Sequence, residues 1–266
     1  MKRAIFALMA LCFVSIAQSQ EPPKVEIPMK ENFHLFLLAG QSNMAGRGDV
    51  EAQDKQPHSR VLMLSKEGTW QPAVDPIHYD KPSAGVGPGR AFGIVLAERD
   101  TNITVGLIPA ACGGSPISTW EPGAYFDQTA SHPYDDAIKR VKLAMKQGTL
   151  KAILWHQGES DSDERLAPAY KDRLEQLIGR FRKELGAPDL PFIVGQLGQF
   201  EKAPWSRYTK MVNDAQIAVA KELERVEFVS SDGLVSKGDN LHFDTLSQRE
   251  FGNRYATACL KTLQSH

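Results

Sequence analysis

The stretch "FHLFLLAGQSNMAGRG", Phe33 to Gly48, begins as an apolar run and breaks off at Gly40-Gln41-Ser42. A short continuous apolar run closed by turn residues is the pattern of a strand buried on both faces, as in a parallel sheet. A serine where such a strand gives way to glycines is either a helix cap or a hydroxyl presented at the rim of the sheet. Which of the two applies depends on what the rest of the chain brings to the same rim.

Outward from this stretch, strand-like and helix-like segments alternate. Leu35–Ala39, Val61–Leu64, Ile103–Ile108, Ala152–Trp155, Phe192–Val194 and Val226–Val229 are short, apolar and often β-branched. Between and after them, apolar residues recur at steps of three and four: Ala137 to Met145, Tyr170 to Leu185, Tyr208 to Val219 and Phe251 to Thr262. Thr245 and Gln248 are placed as a capping box for the last of these helices. Such alternation implies right-handed βαβ units and a doubly wound parallel sheet. The segment Glu67–Gly89, rich in proline and glycine, reads as a long surface loop that shapes a cleft.

Ahead of this region, Lys2 and Arg3 precede an apolar run from Ala4 to Val14 and then Ala17-Gln18-Ser19. That order predicts a signal peptide over residues 1–20 and export of a single domain, residues 21–266. The run is shorter than the ~20 apolar residues that span a bilayer, so no stable membrane association is expected. Without Lys2 and Arg3, the 31 basic residues fall to 29 against 32 acidic ones, a formal charge of −3. This balance argues against a nucleic-acid partner. Beyond the leader only Cys112 and Cys259 remain; they could pair, or stand as two small buried hydrophobes.

In an open parallel sheet, ligands bind beyond the carboxyl ends of the strands. Four such ends carry polar or glycine-rich sets: Gly40-Gln41-Ser42-Asn43, "PAACGGSPISTW" from Pro109, "HQGESDSD" from His156, and "SSDGLVSKGDNLHF" ending at Phe243. A serine hydroxyl needs a base within hydrogen-bond reach to become nucleophilic. His242 is the candidate, with Asp239 three residues ahead to hold its Nδ1–H and leave Nε2 free. His156 is expected to have a structural or cleft-lining role. The candidate oxyanion donors are the Ser42 N–H, a backbone N–H of Gly113 or Gly114, and the Gln157 side-chain amide. Glu159 could orient His242 in place of Asp239, or brace the loops around Ser42. Asp161, Asp163 and Glu164 read as a solvated helix start. His156-x-x-Glu159 lacks a second histidine at helical spacing, so neither a metal nor a cofactor is expected.

Taken together, "GQSNMAG", "GGSPISTW", "WHQGESD" and "DNLHF" resemble the SGNH (GDSL-like) hydrolase superfamily. Within it the chain is similar to the branch of sialate O-acetylesterase-type domains and family-six carbohydrate esterases, which includes acetylxylan esterases. The motifs run from Gly40 to Phe243, nearly the whole chain after the leader. The resemblance implies a flavodoxin-like three-layer α/β/α sandwich, with Ser42 as nucleophile, His242 as base and Asp239 as its partner. One glycine of the Gly113-Gly114 pair and Gln157 would complete the oxyanion hole. Superfamily members usually place an asparagine where this chain has Gln157. The expected function is a secreted or periplasmic carbohydrate O-acetylesterase acting on an acetylated carbohydrate through an acetyl-enzyme. Trp120, Trp70 and Tyr125 are candidate sugar-stacking residues, and Asn43 a candidate substrate contact. Rival readings are an esterase of another class, lipase- or thioesterase-like, and a non-catalytic carbohydrate-binding domain.

Overall fold

The structure, a computed structural model, describes residues 25–264, so the expected signal peptide lies outside the described residues. Among the described residues, seven strands form one sheet: β1 (Phe33–Gly40), β2 (Val61–Leu64), β3 (Trp70–Pro72), β4 (Thr104–Pro109), β5 (Thr149–His156), β6 (Phe192–Gly195) and β7 (Val226–Val229). Their order is β3-β2-β4-β1-β5-β6-β7. All neighbours run parallel except β3, which pairs antiparallel with β2 through Leu64 and Trp70 at the edge of the sheet. The chain fills one side of β1 first and then crosses to the other, so the switch point lies at β1, between β4 and β5.

Alternate β1 side chains feed two separate cores, as the two-residue period of a strand requires. Leu35, Leu37 and Ala39 pack beneath α3 (Pro133–Ala144), α4 (Tyr170–Glu184) and α5 (Arg207–Glu222). Phe36 and Leu38 pack on the other face, beneath α2 (Pro88–Arg99) and α6 (Thr245–Gln264). The result is the expected three-layer sandwich. Among the described residues, no helix is long and apolar enough to cross a membrane.

Two local expectations are corrected. The segment 67–89 contains strand β3, whose three residues are too few for an alternating pattern to show. Helix α6 is capped by Asp244, whose Oδ1 accepts from Ser247 N at 2.7 Å, while the Thr245 hydroxyl donates to Asp49 O instead of forming a capping box with Gln248. Of the two alternatives left open for the cysteines, the second holds: Cys112 and Cys259 are both buried and free.

Candidate active site

Strand β1 ends in a forced turn. Gly40 has φ +125°, and a Cβ there would lie 2.1 Å from the His156 carbonyl oxygen of the neighbouring strand, so only glycine fits. The next amide, Gln41 N, donates to that carbonyl at 2.8 Å. Ser42 then opens the four-residue helix α1 (Ser42–Ala45). In that turn Met44 and Ala45 donate to Gln41 O, while the Ser42 and Asn43 N–H groups have no acceptor among the described residues.

The histidine arrives on a self-bonded loop after β7. Ser236 Oγ accepts from Gly238 N and Asn240 N, and Asp239 Oδ1 accepts from Leu241 N and His242 N at 2.9 and 2.8 Å. Turns closed by short polar side chains in this way hold their shape without a core. The remaining carboxylate oxygen, Asp239 Oδ2, lies 2.7 Å from His242 Nδ1, and His242 Nε2 lies 3.0 Å from Ser42 Oγ.

Protonation follows from these contacts. Partial burial alone would raise the Asp239 carboxyl, but the His242 N–H, the His242 ring and the Leu241 N–H together bring it down to about 2. An ionised carboxylate only accepts, so Nδ1 carries the ring proton and Nε2 turns its lone pair to the Ser42 hydroxyl.

Asn43 holds this arrangement in register. It is 1% exposed, donates from Nδ2 to Glu159 Oε1 at 2.6 Å and to Leu241 O at 3.1 Å, and accepts at Oδ1 from Phe243 N at 3.2 Å. The two residues flanking His242 are thus both tied to the neighbour of Ser42. Asn43 is therefore a clamp and not the expected substrate contact. Glu159 braces Asn43, and the carboxylate against the His242 ring is that of Asp239.

The donor side also differs from expectation. Gln157 is fully buried, and its amide donates to Ser115 O at 3.1 Å and Asp161 Oδ2 at 2.5 Å, leaving no N–H for a ligand. Asp161 is correspondingly buried, not solvated. Burial raises its carboxyl, against the Gln157 and Ile117 donors that lower it. The Gly113 N–H is spent on Asp80 Oδ2 at 2.9 Å. A Cβ at Gly113 would lie 2.3 Å from Arg47 Nη2, so glycine here makes room for the buried Arg47–Asp80 ion pair at 2.8 Å. Gly114, at φ +87°, keeps an N–H without an acceptor among the described residues.

None of the aromatic candidates stands over Ser42. Trp120 is fully buried, its Nε1 donating to Ser115 Oγ and its ring edge-on to Trp155 at 5.0 Å, so it is core and not a sugar platform. Trp70 packs on Phe33, at the far end of β1 from Ser42. Tyr125 is exposed beside His132.

Three comparisons bear on what this site belongs to. The family profile of carbohydrate esterases described as sialic acid-specific acetylesterases matches residues 32–261. The chain belongs to that family. This carbohydrate esterase is 36% identical over 267 residues to a probable carbohydrate esterase of Arabidopsis thaliana, covering 92% of this chain and 97% of that one. A solved structure of a protein from Arabidopsis thaliana superposes with TM-score 0.76 at 35% identity, covering 87% of this chain and 98% of the other. Two more distant structures share the fold: NanS, with TM-score 0.73 at 17% identity over 90% of this chain and 100% of that one, and a carbohydrate acetylesterase from Xanthomonas citri. The latter superposes with TM-score 0.69 at 20% identity, over 87% of this chain and 57% of that one.

Three residues that shape the site were given no role by the sequence. Arg47 and Asp80 pair only in space, and Asp80 lies in the segment read as a long cleft-shaping loop. Gln41 Oε1 accepts from Gly158 N and Ser160 N, both at 3.3 Å, and so ties the turn after β1 to the turn after β5. Among the described residues, no group of three or more histidine, cysteine, aspartate or glutamate side chains is arranged to hold a metal ion.

Proposed function

We propose that this carbohydrate esterase is an exported O-acetylesterase that works through Ser42. The observation that carries the reading is the unbroken path from Asp239 Oδ2 through the His242 ring to Ser42 Oγ, at 2.7 and 3.0 Å.

As Ser42 Oγ bonds to the acetyl carbonyl carbon, its proton passes to His242 Nε2, and Asp239 stabilises the imidazolium that forms. The unspent N–H groups of Ser42 and Gly114 are the candidate donors to the resulting oxyanion. Losing one such donor typically costs ~3 kcal/mol of barrier. Collapse breaks the bond to the sugar oxygen, which takes the proton from Nε2. A water then gives its proton to Nε2 as it attacks the acetyl-enzyme, and acetate leaves as Ser42 recovers its hydroxyl.

The leader sequence supports export, and the family supports a sugar ester as the substrate. Acetate release from acetylated xylan, an O-acetylated sialic acid and other acetylated glycans tests the reading, with Ser42→Ala as control. At least one glycan should lose acetate to the wild type and none to the variant. Turnover retained in Ser42→Ala would eliminate the mechanism.

A further inference from the structure

The rim of the sheet that carries Ser42 also bounds a cavity of about 580 Å³, between the ends of β2 and β4, helix α3 and the loops 78–80 and 129–131. Small-molecule sites typically measure ~300–1,000 Å³. Two of its wall residues belong equally to the loops around Ser42. Cys112 lines it and donates its N–H at 2.9 Å to Gly40 O, two residues before Ser42. Asp80 lines it and receives the Gly113 N–H. Gly113 and Gly114 follow Cys112 along this wall and carry no side chain. The Lys81–Gln128 hydrogen bond, 2.9 Å, crosses beside Gly114.

The lining defines what fits. Asp80 has a side chain 3% exposed, and its Oδ2 is already taken by Arg47 and Gly113, so it shapes the wall without offering a free charge. Lys66, Lys139 and Arg140 are matched in number by Glu67, Asp80 and Asp136, so the wall carries no net charge to select an ion of either sign. His78 adds none, because burial holds its ring down to about 4. The Tyr79 ring, held by the Arg140 guanidinium 5.1 Å from its centroid, supplies a flat apolar surface on this wall. One aromatic plate in a polar wall whose charges balance suits a neutral polyhydroxylated ring.

We propose that this cavity is a subsite for a neutral glycosyl unit of the same substrate chain, adjoining the acetylated sugar at Ser42. The proposal rests on the carbohydrate-esterase reading above and narrows its substrate from a free monosaccharide to an oligo- or polysaccharide.

Calorimetry on the full chain carrying Ser42→Ala tests binding without turnover, using xylotetraose, mannotetraose, cellotetraose and trigalacturonic acid. One neutral tetraose should bind and trigalacturonate should not. Leu143→Trp, which places an indole at the partly exposed rim of the cavity, and Tyr79→Ala should each weaken that binding about tenfold. In the Ser42 background the same two substitutions should leave 4-nitrophenyl acetate turnover within about twofold, since that small ester needs no subsite. Absence of binding by every neutral tetraose, equal binding of trigalacturonate, or binding that survives both substitutions would each overturn the proposal. Failure of the esterase reading is distinct, because it is read from acetate release and not from binding.

Discussion

Two histidines of this esterase each hold a ring nitrogen within 4.0 Å of a carboxylate three residues away, yet the two rings are suited to opposite tasks. His242 Nδ1 is 2.7 Å from Asp239 Oδ2, whereas His156 Nδ1 is 3.7 Å from Glu159 Oε1. The other ring nitrogen decides more. His242 Nε2 faces the Ser42 hydroxyl, which can give up a proton. His156 Nε2 lies 2.9 Å from the Gln196 carbonyl, which only accepts. His156 must therefore keep a proton on Nε2 and has no lone pair there to offer. It is fully buried, edge-on to Phe251 at 5.4 Å, and burial lowers its pKa further below the usual range. Proximity of an acid does not make a histidine a base; the partner of the far nitrogen does.

The largest expected effect sharpens that contrast. His242→Ala should reduce kcat on 4-nitrophenyl acetate by roughly 10⁴–10⁶-fold with an unchanged circular dichroism spectrum. His156→Gln, which can still donate to the Gln196 carbonyl, should stay within about tenfold in kcat while lowering Tm. Similar losses of kcat in both variants would erase the distinction. Asp239→Asn comes next, at roughly 10²–10⁴-fold in kcat, because an amide can leave the ring in the wrong tautomer.

Asn43→Ala should fall below these, at about 10–100-fold in kcat, with ~1–3 kcal/mol lost in a urea melt as the buried Glu159 oxygen loses its donor. A loss of stability without a loss of kcat would mean that the clamp does not position His242.

The smallest effect is on the pH dependence of stability. Unfolded histidines titrate near ~6.5. Below that pH the unfolded chain binds protons that the buried, neutral His156 does not, so His156 makes the fold less stable as pH falls. His78, held at about 4, acts in the same direction between its unfolded value and 4. Asp75, raised by burial to about 7, acts oppositely over the range from 3.8, because its folded form keeps a proton that the unfolded form has released. The Tm deficit of His156→Gln relative to wild type should therefore shrink from about pH 7 to about pH 5. A deficit that stays constant across that range would show that His156 is not held neutral.

The sequence carried the fold where burial wrote continuous apolar runs, and lost it where packing used few or small side chains. All six parallel strands were legible from such runs. Strand β3 was not, because three half-buried edge residues leave no period. Helix α2 was also missed: its buried face includes Gly89, Gly93 and Ala97, and α6 lies so near that a Cβ at Gly252 would sit 2.4 Å from the Pro88 carbonyl oxygen. Close helix packing of this kind selects small residues and flattens the apolar contrast that a pattern search needs.

At the site, Ser42, His242 and Asp239 were legible because each lies at a strand end or at a fixed short offset. Asn43 and Gln157 were misjudged because an amide reads alike whether it faces a ligand or a buried carboxylate. Their true partners, Glu159 and Asp161, were visible in the same motif, but only coordinates say which acceptor consumes which donor.

One alcohol activated by one imidazole is the claim from which the rest follows, and covalent labelling by a fluorophosphonate reads it directly. Peptide mapping of the labelled wild type should place the phosphonyl group on Ser42, and His242→Ala should slow that labelling by at least about a hundredfold. Label on a different serine, or on Ser42 at an undiminished rate without His242, would contradict it.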